Sequence, residues 1–153
     1  MISDNNQFLK TIQEMFSEKI PFNKLLGLKI ESMDHEMVRV SCEMRDDLVG
    51  HFTRGMVHGG VISSVVDVTG GLVAFMGVAG KMTDTGMEAK FRKFEHVSTI
   101  DLRVDFLRPG IGTIFFATAY PLRTGSKVAV TRTEFTNEKQ ELIAVGTGSY
   151  IVG

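Results

Sequence analysis

A run of apolar residues with a single acid inside it limits what this chain can fold into more than any other feature. From Val61 to Met76 the residues are apolar on almost every side of a helical wheel, which suits a helix enclosed by protein all round. Asp67 interrupts that run, and Gly70 and Gly71 follow it at i+3 and i+4. An unpaired charge is expensive in such surroundings, and each mid-helix glycine costs roughly 1 kcal/mol relative to alanine. Two readings account for the pattern. In one, Asp67 is a core side chain bonded to a backbone group and the glycines allow close packing. In the other, the acid does chemistry and the glycines leave room beside it for water or an acyl group.

The flanking segments indicate what encloses this helix. Residues 4–20 carry Phe8, Leu9, Ile12, Met15 and Phe16 along one helical stripe, with Ser3 or Asp4 as N-cap and Pro21 as the stop. That amphipathic helix is expected to dock on the outside of the domain. Residues 28–33 and 37–44 read as two antiparallel strands joined by a turn at Asp34-His35-Glu36, and residues 45–57 as a loop leading into the central helix. Residues 80–97 are polar and irregular, with MEAKFRKFEH as a short helical lid. Ile100, Leu102, Val104 and Phe106 then alternate with Asp101, Arg103 and Asp105, the clearest strand of the chain. Three further strands follow over 113–121, 126–135 and 141–152, separated by Arg123-Thr124-Gly125 and Asn137-Glu138-Lys139.

Antiparallel strands need an apolar layer on one face, and only residues 58–79 are apolar enough to supply it. The predicted architecture is α+β: a long central helix wrapped by a roughly six-stranded antiparallel sheet, with an extra N-terminal helix over 1–24, in one domain spanning 1–153. Such a sheet has open edges, so self-association is expected.

Composition narrows the function. With 17 basic and 18 acidic side chains the chain has no electrostatic footprint for nucleic acid. Cys42 stands alone, which precludes an intrachain disulfide and fits a reducing compartment. The N-terminus lacks the basic and apolar regions of a secretory signal. The apolar run is short, glycine-rich and acidic at its middle for a membrane span. The expectation is a soluble cytoplasmic protein.

His58-Gly59-Gly60 opens the helix, where backbone N–H groups lack intrahelical partners and the dipole favours negative charge. With no side chains at Gly59 and Gly60, a substrate oxygen can approach those amides, as an oxyanion hole requires; a glycine-assisted tight turn is the alternative. Asp67 lies eight residues beyond Gly59, about 12 Å along the axis. One carbonyl cannot contact both groups of the same helix. If both are catalytic, two antiparallel helices from two subunits must lie side by side, giving two sites per dimer and an inactive monomer. Ser63 and Ser64, one turn before Asp67, are placed either to bond to it or to bond to backbone.

HGG with an aspartate nine positions after the histidine, then GG, a STIDLRVDFLRPG strand and an RTGSKVAV hairpin, resembles the hotdog-fold thioesterases over roughly residues 25–152. The likeness is strongest to the PaaI-like branch and its YigI-type relatives. It implies hydrolysis of acyl-CoA thioesters without metal or redox cofactor, in a homodimer with a continuous sheet or a dimer of dimers. Carried over, it makes Asp67 the general base or nucleophile, the Gly59 amide the oxyanion donor, and Thr99 a hydroxyl that positions water. Where many relatives carry an Asn or Gln before HGG, this chain has Gly50-His51-Phe52, so His51 stands as the replacement donor or as a surface loop residue. For His58 a structural role bonding the loop competes with acid–base catalysis, while His35 and His96 read as surface residues.

Gly60, Ser63 and Gly71 complete the candidate substrate-binding set on the helix. Coenzyme A brings phosphates, for which Arg108, Arg123 and Lys127 are candidates, with Arg92 and Lys93 in the lid; each is otherwise a solvated charge. Phe91 and Phe94 either cover an acyl or pantetheine channel or anchor the lid, and Phe75, Met76 and Phe106 offer apolar lining. A hydroxyacyl dehydratase on the same fold is an alternative prompted by His51 and the helix acid, although the proline-rich segment of those enzymes is missing. A non-catalytic acyl-CoA-binding module is another. His51, His58 and Asp67 lack the compact spacing of a metal site.

Overall fold

The apolar run becomes helix α3, Gly59–Ala79, longer than its hydrophobic stretch and continuous through both glycines. The computed structural model describes residues 4–153. Six antiparallel strands curl over this helix in the order β1-β2-β6-β7-β8-β5. They are β1 (Lys29–Met33), β2 (Val38–Glu43), β5 (Ser98–Phe106), β6 (Ile114–Thr124), β7 (Val128–Asn137) and β8 (Leu142–Ile151). Inward residues such as Val38, Val40, Phe115, Ala117, Phe135 and Ile143 meet Val65, Val66, Val73 and Phe75 of α3 to form the core. By length and composition alone α3, at 21 residues, could cross a bilayer, but most of it is buried inside the protein.

Enclosure is not complete. Ser64, Asp67, Val68 and Gly71 remain half-buried and Gly60 exposed, so one stripe of α3 at i, i+4, i+7, i+8 and i+11 faces outward from the chain. Within one chain the expectation of a helix covered on every side is corrected: the sheet and neighbouring helices cover most of it, and the open stripe carries the acid.

The 45–57 segment holds a short helical turn at Asp46–Leu48 and a small hairpin of β3 (Val49–His51) and β4 (Met56–Val57). The end of one strand also differs from expectation. Arg123 and Thr124 belong to β6, paired with Val130 and Ala129, because a bulge at Leu122 lets the strand continue past Pro121.

The N-terminal segment departs furthest from its predicted role. Helix α1 (Asp4–Glu14) runs into a π-helical turn at Met15–Lys19. Pro21 ends that run by holding Ile20 extended, then opens a second helix, α2 (Pro21–Leu26), at its first position. Gly27, at φ 69°, closes α2, with the Leu28 amide bonded back to the Asn23 carbonyl. Ser3, one of the two expected N-caps, lies outside the described residues; Asp4 is the first helical residue. Phe8, Ile12 and Phe16 are buried in the main core rather than on the outside of the domain. Phe8 touches Phe75 of α3 and Phe91 of α4 (Met87–His96), and Phe75 meets Phe94 edge-on at 5.1 Å. These rings tie the lid helix to α1 and α3.

Candidate active site

Asp67 is held from two adjacent strands. The Thr99 hydroxyl donates to Asp67 Oδ1 at 2.9 Å, and the Tyr150 hydroxyl donates to the Asp67 main-chain carbonyl, also at 2.9 Å. Burial pushes the Tyr150 phenol well above its usual range, with the Asp67 charge adding to the effect. Tyr150 therefore remains a donor. Its ring explains the glycine pair: a side chain at Gly70 would overlap the Tyr150 hydroxyl, and one at Gly71 would come within 3.3 Å of the ring. Gly70 thus serves close packing, while Gly71 lines open space beside the acid.

Thr99 reaches Asp67 because β5 is irregular there. Thr99 pairs with Tyr150 and Asp101 with Ser149, so Ile100 is an extra residue without a partner. Strict alternation would put Thr99 on the outer face with Asp101, Arg103 and Asp105. The bulge turns it toward α3.

A cavity of about 390 Å³ opens at this pair. Ser64, Asp67, Ser98 and Thr99 are among its polar lining, and Phe16, Ile20, Phe22, Leu72, Phe94 and Val97 among its apolar lining. Phe94 both anchors the lid and lines the cavity. Phe91 only anchors, and Phe75 and Met76 lie in the core instead of lining this space. Sequence reasoning missed Tyr150 and the N-terminal wall. Tyr150 left one signal, as one of only two tyrosines and at an inward register of the last strand.

At the start of α3, His58 is the N-cap: its Nδ1 accepts from the Gly60 amide at 2.8 Å, and its own amide donates to the Leu48 carbonyl. The Val61 and Ile62 amides both donate to the His58 carbonyl. Gly59 is left, among the described residues, as the first-turn amide without a partner. Phe106, at the far end of β5, lies in ordinary contact range of a side chain built at Gly59.

Ser63, His51, Arg108, Arg123 and Lys127 sit apart from the cavity, whereas Ser64 lines it. The Ser63 and Ser64 hydroxyls donate to the Gly59 and Gly60 carbonyls rather than to Asp67. His51 is exposed on the β3–β4 hairpin, 2.9 Å from Thr53 Oγ1 and stacked on Phe52. Arg108 donates to the Leu142 carbonyl, and Arg123 and Lys127 are exposed; none of the three lines the cavity. Among the described residues no three His, Cys, Asp or Glu side chains gather where they would hold a metal ion.

A long helix wrapped by an antiparallel sheet, with one carboxylate opening from it beside a strand hydroxyl, defines a hotdog-fold thioesterase. The Thioesterase superfamily model matches residues 54–144, and the chain belongs to that superfamily. It is similar to the medium/long-chain acyl-CoA thioesterase YigI of Escherichia coli, 40% identical over 147 residues, covering 96% of this chain and 95% of that protein. A Shewanella oneidensis protein related to the thioesterase superfamily is also 40% identical, with a TM-score of 0.94 and full coverage of both chains. A candidate thioesterase from Syntrophus aciditrophicus is 51% identical, with a TM-score of 0.88 over 99% of this chain and 100% of that one.

Proposed function

We propose that the protein hydrolyses acyl-CoA thioesters to a free acid and coenzyme A, at a site shared between two copies of the chain. Asp67 takes a proton from water as the water oxygen attacks the thioester carbonyl. The carbonyl oxygen gains negative charge, which the amide of the partner's Gly59 receives. The C–S bond then breaks, and the departing thiolate recovers the proton from Asp67. Attack by the Asp67 carboxylate itself, followed by hydrolysis of the anhydride, would use the same groups.

The observation that carries this reading is the Thr99–Asp67 hydrogen bond in a cavity that is also lined by apolar side chains. Thr99 orients the acid and leaves its second oxygen for water. The likeness to a medium/long-chain acyl-CoA thioesterase supports coenzyme A as the thiol.

Two features favour a shared site. Gly59 and Asp67 lie on one unbroken helix, about 12 Å apart along its axis. Strand β5 pairs with β8 alone, so its other edge is open, and Ile100 and Phe106 on it are half exposed. Within one chain the Thr99 end of β5 stands at Asp67, and the Phe106 end stands at Gly59. Antiparallel pairing of two such edges about Arg103, with the extra Ile100 passed over, sets Thr99 of one copy opposite the partner's Phe106. Each acid then faces the partner's open amide. Arg108, two residues past Phe106, falls at that end and is the cation best placed for coenzyme A phosphates. Closing the open stripe of α3 this way fits a homodimer, and a dimer of dimers would leave the site unchanged.

The test is thiol release from a panel of acyl-CoAs. Asp67→Asn is expected to lower kcat by about 10²–10⁴. Equal rates for wild type and variant would remove Asp67 from the mechanism.

A further inference from the structure

We propose that the N-terminal helical segment forms the acyl-chain wall of the Asp67 cavity, and that Phe22 sets the preference for longer chains; the proposal rests on the acyl-CoA reading above. Residues 4–28 precede the part of the chain that matches the superfamily, 54–144. They are nevertheless built into the cavity. Phe16, Ile20, Phe22 and Asn23 line it together with Phe94 of the lid helix and Val97 just beyond it. Asp67 and the hydroxyl residues Ser64, Ser98 and Thr99 line the same cavity. A thioester joined to a hydrocarbon chain needs both kinds of lining, with the carbonyl at Asp67 and the chain along the aromatic side chains.

The wall is held in place. Extended Ile20 and Pro21 turn the chain sharply between the π-helical turn and α2. Asn23, 2% exposed, spans that turn by donating from Nδ2 to the Phe16 carbonyl at 3.0 Å. Phe16 is thereby fixed at the base of the wall and Phe22 at its rim. Phe22 is 52% exposed in the single chain and borders this cavity, so part of a large apolar ring is open to hydrocarbon there. Volume points the same way. A dry cavity of about 150 Å³ accommodates benzene. The roughly 390 Å³ here would be left mostly unfilled by a short acyl group.

Binding of non-hydrolysable butyl-, octyl- and dodecyl-CoA thioethers, followed by calorimetry, tests the proposal without requiring turnover. Each methylene buried on the wall is worth up to about fourfold in affinity. Wild type should bind dodecyl-CoA at least ~10-fold more tightly than butyl-CoA. Phe22→Ala should keep the butyl affinity and lose about tenfold for dodecyl, and Phe22→Leu should restore most of it. Leu25→Ala, on the same helix but outside this cavity, should retain the length dependence. A flat profile in wild type, absence of binding, or equal weakening of all three ligands by Phe22→Ala would overturn the proposal. So would an unchanged dodecyl affinity in Phe22→Ala. Thiol release by wild type, measured in parallel, decides the hydrolase reading separately.

Discussion

Thr99 and Tyr150 face each other across β5 and β8, and both hydroxyls reach the same residue of α3. One grips the Asp67 carboxylate and the other its carbonyl. The acid is thus tied to the sheet at its side chain and at its backbone, which limits both its rotamer and the axial position of its helical turn. A bulge at Ile100 makes the first contact possible, and the glycine pair Gly70-Gly71 makes room for the second.

Removing the Thr99 hydroxyl should affect catalysis more than stability. Thr99 is exposed in the single chain, so Thr99→Val leaves no cavity in the core. The lost bond to a charged group is worth ~1.5 kcal/mol, or about tenfold. Steady-state kinetics should show kcat reduced by that factor, with the unfolding midpoint nearly unchanged.

Tyr150 gives an alkaline signature. Its folded pKa is raised above the unfolded value of about 10, chiefly by burial, so above that pH the unfolded chain sheds a proton that the native state keeps. The native state binding more protons means stability falls as pH rises. The contribution is fully present below about pH 10 and is lost by up to about 1.4 kcal/mol per pH unit above it. Urea unfolding should show a shallower alkaline decline for Tyr150→Phe than for wild type.

The two glycines should respond differently to alanine. Gly70→Ala overlaps the Tyr150 hydroxyl and approaches Thr131 Oγ1 within 2.8 Å, so a loss of ~1–3 kcal/mol is expected. Gly71→Ala meets only the ring, at 3.3 Å, and should fall near neutral because its helix propensity gain of roughly 1 kcal/mol offsets the crowding. Combining Gly70→Ala with Tyr150→Phe should recover ~1 kcal/mol relative to the sum of the single changes. Denaturant melts of the four proteins check this.

Gly59→Pro deletes the proposed oxyanion donor with little disturbance. Gly59 is the first helical residue, where proline is favoured, and His58 before it is already extended at φ −64° and ψ 136°. The variant should fold and lose about 10²–10³ in kcat. Mixed with Asp67→Asn and reassembled, it should regain about a quarter of wild-type activity, since half the dimers are hybrids with one intact site of two. Absence of recovery in verified hybrids would place both groups in one subunit.

How much was legible in the sequence follows from the range of each signal. Helix α3 and the strands are written in local periodicity, and the unusual cost of Asp67 and of two mid-helix glycines drew attention to the turn of helix that the structure places at a cavity. Alternation misleads at Thr99, because the bulge at Ile100 changes the face of one strand without altering its composition; the family likeness marked Thr99 where periodicity did not. The stripe of α1 was plain, but its destination was not. An amphipathic face states that it must be buried and not against what.

The sequence by itself therefore determined the apolar helix, the antiparallel strands that need it, and the presence of one acid and one glycine-opened helix start. Only the tertiary structure decided which strand hydroxyls hold that acid, that Gly70 makes room for Tyr150, and that the N-terminal segment lines the cavity. Periodicity is set by neighbours three or four positions away, whereas a cavity is set by residues such as Phe16, Asp67, Phe94 and Tyr150 that meet only when the whole chain is packed.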